Sequence, residues 1–283
     1  MIKNKKGIIQ VIHGMSEYKE RYNHFFEYFE ERGWIVVLEE HIYHGERVSL
    51  DKIGMFKEDF YKIIENQINF TKFLKNKYPN LPIFIFGHSM GSFIAQEHMK
   101  VMNNLVSGYI LCGSCYKQKF LWKIGKYISI ILNKFYKNKR AKIIKKLIFF
   151  NFNGKIKSKD YFNENSWLSR DTIEVKKYTE NKYCGFAYSS SFYKDFFIFL
   201  NKLYEKKDFE NIRKNLPILI ISGNMDPVGI NGKGVKRLEN FYDSLGFKNK
   251  KYKIYNDARH ELCNEINRNE VFKNIENWLD ENS

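Results

Sequence analysis

Ser89 sits in Gly87-His88-Ser89-Met90-Gly91, between the apolar run 83–86 and a helical pattern over 92–98. Strand, sharp turn and helix around G-x-S-x-G is the setting in which a serine becomes a nucleophile. The glycines leave room where the backbone takes strained dihedrals. The helix start points amide N–H groups at charge developing beside the hydroxyl. A chance Gly/Ser turn would carry the same letters without that setting. The hydroxyl alone is a weak nucleophile and needs a base.

In sites of this kind the acid and then the histidine follow the serine along the chain. His13, His24, His41, His44 and His88 all precede Ser89, and His98 lies on the helix that Ser89 opens. That leaves His260, in the polar stretch Asn256-Asp257-Ala258-Arg259-His260-Glu261 between the last strand and the last helix. The acid belongs at a strand end between the two. The run 218–221 continues through Ser222-Gly223-Asn224-Met225 to Asp226-Pro227. Pro227 biases Asp226 toward extended backbone, and a carboxylate there can fix the imidazole tautomer and stabilise the imidazolium. Asp243, on a helix face, and Asp257, bracing the histidine loop, are the weaker choices. Acyl transfer also needs two backbone donors for the tetrahedral oxygen. The N–H of Met90 follows the nucleophile, and the N–H of Met15, after the early strand and His13-Gly14, is the second candidate.

These residues need a frame. Six β-rich runs, 8–12, 34–38, 83–86, 109–112, 218–221 and 252–255, alternate with helical patterns over 17–32, 57–77, 89–102, 234–245 and 264–279. Most of the runs are apolar nearly throughout, as strands buried on both faces should be, so the fold class is α/β with a mostly parallel sheet. The segment 116–203 breaks the rhythm. It lacks a buried strand and is rich in aromatics. Its first part carries Lys117, Lys119, Lys123, Lys126, Lys134, Lys137, Lys139, Arg140, Lys142, Lys145 and Lys146, with no acid from Tyr116 to Lys159. It reads as a mostly helical insertion over the strand ends, dividing a core of 1–115 and 204–283.

Composition narrows the partners. A formal charge of +16 favours anionic surfaces. No nucleic-acid motif accompanies it, so nucleic acid is not an expected partner. Cys112-Gly113-Ser114-Cys115 has C-x-x-C spacing without a second ligand pair, and reduced buried thiols are expected instead. The basic N-terminus, residues 1–6, leads into too short an apolar run for a signal sequence. No stretch is long and charge-free enough to span a bilayer, Lys123 and Lys126 breaking 122–132. A cytoplasmic protein is the expectation.

Taken together, the motifs resemble the monoacylglycerol lipase/lysophospholipase branch of the α/β-hydrolases, grouped with the serine-aminopeptidase-like (S33) hydrolases. The likeness is carried by His13-Gly14-Met15-Ser16-Glu17 with Arg21-Tyr22, and by Gly87-His88-Ser89-Met90-Gly91-Ser92. Trp167-Leu168-Ser169-Arg170-Asp171, Cys184-Gly185-Phe186, Asp226-Pro227-Val228-Gly229, Gly232-Lys233-Gly234-Val235 and Ala258-Arg259-His260-Glu261 extend it. The resemblance implies an α/β-hydrolase fold with a helical cap insertion, and puts the family's triad on Ser89, Asp226 and His260. It also implies a serine esterase acting on monoacylglycerol or lysophospholipid; that mechanism needs neither cofactor nor metal, and none is expected. One departure stands out: the family's D-x-x-G-H-G is Glu40-His41-Ile42-Tyr43-His44-Gly45 here.

In such a protein the insertion shapes an acyl pocket, for which Phe149, Phe150, Phe152, Tyr161, Phe162 and Trp167 are candidates, Phe149, Phe152 and Trp167 foremost. Packing of the insertion on the core is the competing use of the same rings. The basic face of the insertion is expected to meet anionic membrane peripherally, a solvated face of a lysine-rich chain being the plainer alternative. A short-chain carboxylesterase, a thioesterase or an S33-type peptidase would use the same triad. A binding protein on this scaffold would be expected to have lost a triad member.

Overall fold

The computed structural model describes residues 5–136 and 139–283. Most of the basic N-terminal stretch (residues 1–4) and Lys137 of the lysine run lie outside them. Six strands form one sheet in the order β2-β1-β3-β4-β5-β6: β1 Gly7–Ile12, β2 Trp34–Leu38, β3 Ile83–His88, β4 Gly108–Cys112, β5 Ile218–Gly223 and β6 Lys250–Tyr255. Every pairing among them is parallel. The reason is legible in the residues. β1, β3, β4 and β5 are buried along their whole length, which continuous Ile/Phe/Val runs satisfy only with helices on both faces. β6, at an edge, exposes Lys251 and Tyr252, and lysines there discourage pairing with another chain.

The helices are α1 Asn23–Glu31, α2 Tyr61–Lys77, α3 Met90–Met102, α4 Lys119–Tyr136, α5 Lys142–Ile148, α6 Thr172–Glu180, α7 Ser190–Lys202, α8 Lys233–Ser244 and α9 Arg268–Asn282. The expected helix over 17–32 is shorter: Lys19–Tyr22 is a 3-10 turn and α1 starts at Asn23, because Ser16 and Glu17 belong to a loop folded into the site. α2 likewise begins at Tyr61 and α9 at Arg268. One core layer sets α2, α3 and α8 against the sheet; the other packs α1 and α9 on its opposite face. Between β4 and β5 stand α4 to α7, with α4 packed along α7. No helix among the described residues is long and apolar enough to cross a membrane, and the four cysteines are free and buried.

One of the tightest crossings in this frame is where α3 leaves β3. A Cβ on Gly91 would fall 2.0 Å from the carbonyl oxygen of Ile12 and 2.6 Å from that of His13, both backbone atoms of the β1 exit. No side chain fits between two main chains so close. Gly91→Ala is therefore expected to cost at least about 3 kcal/mol of stability, read from urea unfolding midpoints. A loss below ~1 kcal/mol would show that the crossing can open.

Candidate active site

Ser89 occupies the turn between β3 and α3 with φ 53° and ψ −120°, outside the regions comfortable for an L-residue. Its N–H donates to the Cys112 carbonyl at the end of β4, 2.9 Å away. Neighbouring strand ends thus hold the turn in its strained shape. The hydroxyl faces a cavity of about 430 Å³ whose wall includes Ser89, Met90, Met15 and His260.

His260 lies in the loop between β6 and α9, 2 % exposed, with Nδ1 2.8 Å from Asp226 Oδ1. Asp226 follows β5 and is fully buried. Its Oδ2 accepts from Ser222 Oγ at 2.8 Å, and its Oδ1 accepts from the Val228 N–H at 2.9 Å. Burial by itself would raise this carboxyl. The His260 imidazole and the hydrogen bonds win, and the group lies below the ordinary carboxylate range. An ionised Asp226 accepts a hydrogen bond from Nδ1–H, which keeps the proton on Nδ1 and leaves the lone pair on Nε2. The imidazole lies between Trp167, 5.1 Å between ring centroids, and His88, 4.8 Å. It rests on Gly113, where a Cβ would come within 2.9 Å of His260 Cε1.

The Gly14 N–H donates to Glu17, and the Gly14 carbonyl accepts from His13 Nδ1 at 2.9 Å. A Cβ on Gly14 would come within 3.1 Å of the Ser89 Cβ, so the Met15 loop runs directly beside the serine. The Met90 N–H opens α3 next to the same hydroxyl.

His13 Nε2 accepts the His41 N–H at 3.0 Å, and His41 Nε2 donates to the His13 carbonyl at 3.0 Å. Burial, with His41 and His44 adding to it, holds His13 well below its ordinary value. Burial first, then His44, takes His41 to about 3, and burial takes His44 to about 4. All three are neutral near neutral pH. The altered stretch 40–45 is this cluster's support. Tyr43 has φ 60° and Gly45 φ 69°. Tyr43 thus takes the left-handed conformation at the position where the family motif has glycine, at a cost of about 1–2 kcal/mol.

Sequence reasoning passed over Glu17 and His88. Glu17 Oε1 accepts from Tyr22 Oη at 2.7 Å and meets His88 Nδ1 at 3.0 Å. Burial would raise Glu17. The His88 imidazole, Tyr22 and the Gly14 amide together hold it at about 2. Burial would lower His88, and Glu17 outweighs it, so His88 is raised. The two form a buried pair, an ion pair whenever His88 is protonated, on the wall of the cavity that Ser89 also lines. Glu17 stood in plain view in the His13–Glu17 motif; an acid five residues past an apolar strand was the available signal. Arg21, also in that motif, donates to Glu174 Oε2 at 3.2 Å and to Glu261.

Of the six aromatic candidates, Phe149, Phe152 and Trp167 line the cavity. Phe150 is 78 % exposed, and Tyr161 and Phe162 are exposed as well. None of these three lines it; their side chains face solvent from the chain between β4 and β5. Much of the remaining wall is apolar side chains of α4, α5 and α7, among them Trp122, Ile128, Ile144 and Phe197. Among the described residues no cluster of His, Cys, Asp and Glu is arranged to hold a metal.

Sheet order, strained serine turn and the loops gathered at the C-terminal strand ends define the class: an α/β-hydrolase. A family model described as serine aminopeptidase, S33, matches residues 3–267. The chain belongs to that family and is a serine hydrolase of the monoglyceride lipase/esterase type. A monoglyceride lipase homolog of Monkeypox virus is 25 % identical over 277 residues, 97 % of this chain and 89 % of that one. Human monoglyceride lipase is 30 % identical over 90 residues, 32 % of this chain and 29 % of that one. Among solved structures, a thermostable carboxyl esterase from Bacillus coagulans superposes with a TM-score of 0.88 at 26 % identity, covering 99 % of this chain and 91 % of that one. A monoglyceride lipase from Saccharomyces cerevisiae does so with a TM-score of 0.75 at 21 % identity, covering 99 % and 88 %, and speaks to the fold alone.

The Glu17–His88 pair carries a pH signature. Glu17, lowered from 4.5 to about 2, contributes stability that is present above pH 4.5 and lost as pH falls toward 2. His88, raised from 6.5, contributes stability that is present below 6.5 and lost as pH rises through its folded value. Glu17→Gln is expected to lower stability by about 1–3 kcal/mol, with the gap from the parent widest between pH 4.5 and 6.5. Melting curves taken from pH 4 to 8 check this; a gap independent of pH would mean the two groups are not an ion pair.

Proposed function

We propose that the protein hydrolyses the ester of a single-chain acyl lipid, a monoacylglycerol or lysophospholipid, with Ser89 as nucleophile, His260 as base and Asp226 as its supporting acid. One observation carries the reading. Ser89 in its strained turn and an Asp226-bonded His260 open onto one largely apolar cavity of about 430 Å³. Its size is within the ~300–1,000 Å³ of small-molecule sites. In the first half-reaction Ser89 Oγ attacks the ester carbonyl while its proton moves to His260 Nε2. The Met15 and Met90 amides hold the oxyanion. The C–O bond to the alcohol breaks, and the alcohol leaves with that proton. Water then gives a proton to His260, attacks the acyl-Ser89, and the acid departs as Ser89 regains its hydrogen. Residues 116–203 act as the cap of this pocket, and the rest of the chain as the catalytic core.

The geometry of the insertion favours a lipid source. Phe120, Ile124, Tyr127, Ile131 and Phe135 repeat at helical spacing on α4 and are all exposed. Lys119, Lys123 and Lys126 flank them. Leu121, Ile124 and Leu147 are exposed and also line the cavity, so the mouth opens within this face. A helix of that kind lies in the plane of a membrane interface with its lysines at the headgroups.

Two measurements test the proposal. Ser89→Ala is expected to lower turnover on a long-chain monoacylglycerol by about a million-fold, and Asp226→Asn by about ten-thousand-fold. Activity confined to short p-nitrophenyl esters would replace the lipid assignment with a general carboxylesterase, and activity on N-terminal peptides alone with an aminopeptidase. For the membrane face, each lysine near an anionic surface contributes about 1 kcal/mol. Joint replacement of Lys119, Lys123 and Lys126 by Gln should weaken binding to phosphatidylserine vesicles about a hundredfold, with little change on phosphatidylcholine. Equal binding by parent and variant would remove the electrostatic part of the reading.

A further inference from the structure

Met15 is followed by a residue whose polar groups are all taken by one segment of the insertion. The Ser16 N–H donates to Tyr188 Oη at 2.6 Å, and Ser16 Oγ donates to the Phe186 carbonyl at 2.8 Å. The Ser16 carbonyl accepts the Gly185 N–H at 2.8 Å. Ser16 is itself in the left-handed region, φ 55°, which an L-residue keeps only where its surroundings enforce it.

The direction of the Tyr188 bonds is settled by His44. His44 Nδ1 is 3.0 Å from the Ile42 carbonyl, which can only accept, so Nδ1 carries the proton. Nε2 then accepts, and the Tyr188 hydroxyl 2.7 Å away donates to it. With its proton so engaged, Tyr188 turns a lone pair to the Ser16 N–H. The tyrosine is fully buried and its ring stacks on Phe192 with centroids 3.9 Å apart, leaving the hydroxyl nowhere else to go.

Met15 is therefore held between two pinned peptide planes. The Gly14–Met15 plane, which carries the Met15 N–H, is fixed at its carbonyl by His13 Nδ1. The Met15–Ser16 plane is fixed at its N–H by Tyr188. We propose that Tyr188 is a positioning residue for the oxyanion donor, completing the hole only when segment 185–188 of the insertion is docked on Ser16. This rests on the oxyanion role proposed above for Met15. It makes the insertion part of the catalytic apparatus as well as the wall of a pocket. Neither Tyr188 nor His44 lines the cavity onto which Ser89 and His260 open, and the contact of the Tyr188 hydroxyl toward the site is the Ser16 N–H that follows Met15.

Tyr188→Phe tests this, assayed on a soluble short ester so that membrane binding plays no part. Removing a donor outright from such a hole costs about a hundred- to a thousand-fold. Misaiming it is expected to cost about ten- to a hundredfold in kcat, with KM changed by less than about twofold. Affinity for a trifluoromethyl ketone, whose hydrate-like adduct mimics the oxyanion, should fall in parallel, and affinity for a fatty acid product should not. Ser189→Ala, which removes the α7 cap beside Tyr188, is the stability control, expected to lower the melting temperature and leave kcat in place. Should Tyr188→Phe fail to fold, His44→Leu takes the acceptor from the tyrosine proton and is expected to show the same pattern at smaller amplitude. Unchanged kcat and ketone affinity in a folded Tyr188→Phe, or in His44→Leu if it alone folds, overturns the proposal. Activity surviving in Ser89→Ala would instead overturn the nucleophile assignment beneath it.

Discussion

The site depends on one backbone contact, the approach of the α3 start to the exit of β1. Gly91 lies against the carbonyls of Ile12 and His13 with no space for a side chain. That approach forces the turn between β3 and α3 into a single residue, and Ser89 takes a positive φ to make it. Because β1 and β3 are neighbours in the sheet, the loop after β1 then falls beside Ser89, with Met15 at its tip. Strand order and a missing side chain thus place the hydroxyl and a backbone amide together before any hydrogen bond has been made. The strain is held by the sheet, since the Ser89 N–H is tied to the end of β4.

Around this turn the interior separates its ionisable groups into neutral and charged sets. His13, His41 and His44 share backbone partners, lack a buried carboxylate among their hydrogen bonds, and are kept neutral by burial. His88 has Glu17, and its charged form is favoured. The two groups differ less in depth than in partners, which is how a low-dielectric interior sorts titrating residues. The result places donors of fixed direction behind the Met15 loop. It places compensated charge beside Ser89, where an unpaired one would be costly.

The chain between β4 and β5 faces two ways. Its inner segments are stitched to the loops of the candidate site: the His260 and Glu261 amides donate to the Trp167 and Leu168 carbonyls at 3.3 and 2.7 Å. Arg259 reaches the Ser166 and Ser169 carbonyls at 2.7 and 2.9 Å, and 185–188 wraps Ser16. Its outer helices, α4 and α5, present aromatic and aliphatic side chains to solvent among lysines. Inner segments rich in directed hydrogen bonds hold position. The outer helices are tied down on their inner sides, α4 by Ser190 and Asn201 of α7 and α5 by Lys145 on the Gly185 carbonyl, and turn their apolar side chains outward.

The amino-acid sequence by itself determined the sheet and singled out Ser89, Asp226 and His260, of which the structure brings His260 and Asp226 into hydrogen bond and sets His260 on the same cavity as Ser89. Continuous apolar runs mark strands covered on both sides, G-x-S-x-G marks the turn, and all six strands form within two residues of where the patterns put them. Local signals suffice there because each depends on a residue's own conformational limits or on burial that repeats along the chain. Helix starts were less legible, as at Asn23, where Ser16 and Glu17 are drawn into the site instead of extending α1. Which aromatic rings face the cavity was illegible as well: Phe149 lines it and Phe150, one residue on, faces solvent. Only the tertiary structure decided the pairing of Glu17 with His88 and of Ser16 with Tyr188, 71 and 172 residues apart. Neither member of such a pair has a local pattern that reveals the other; burial in one place makes each the partner the other requires.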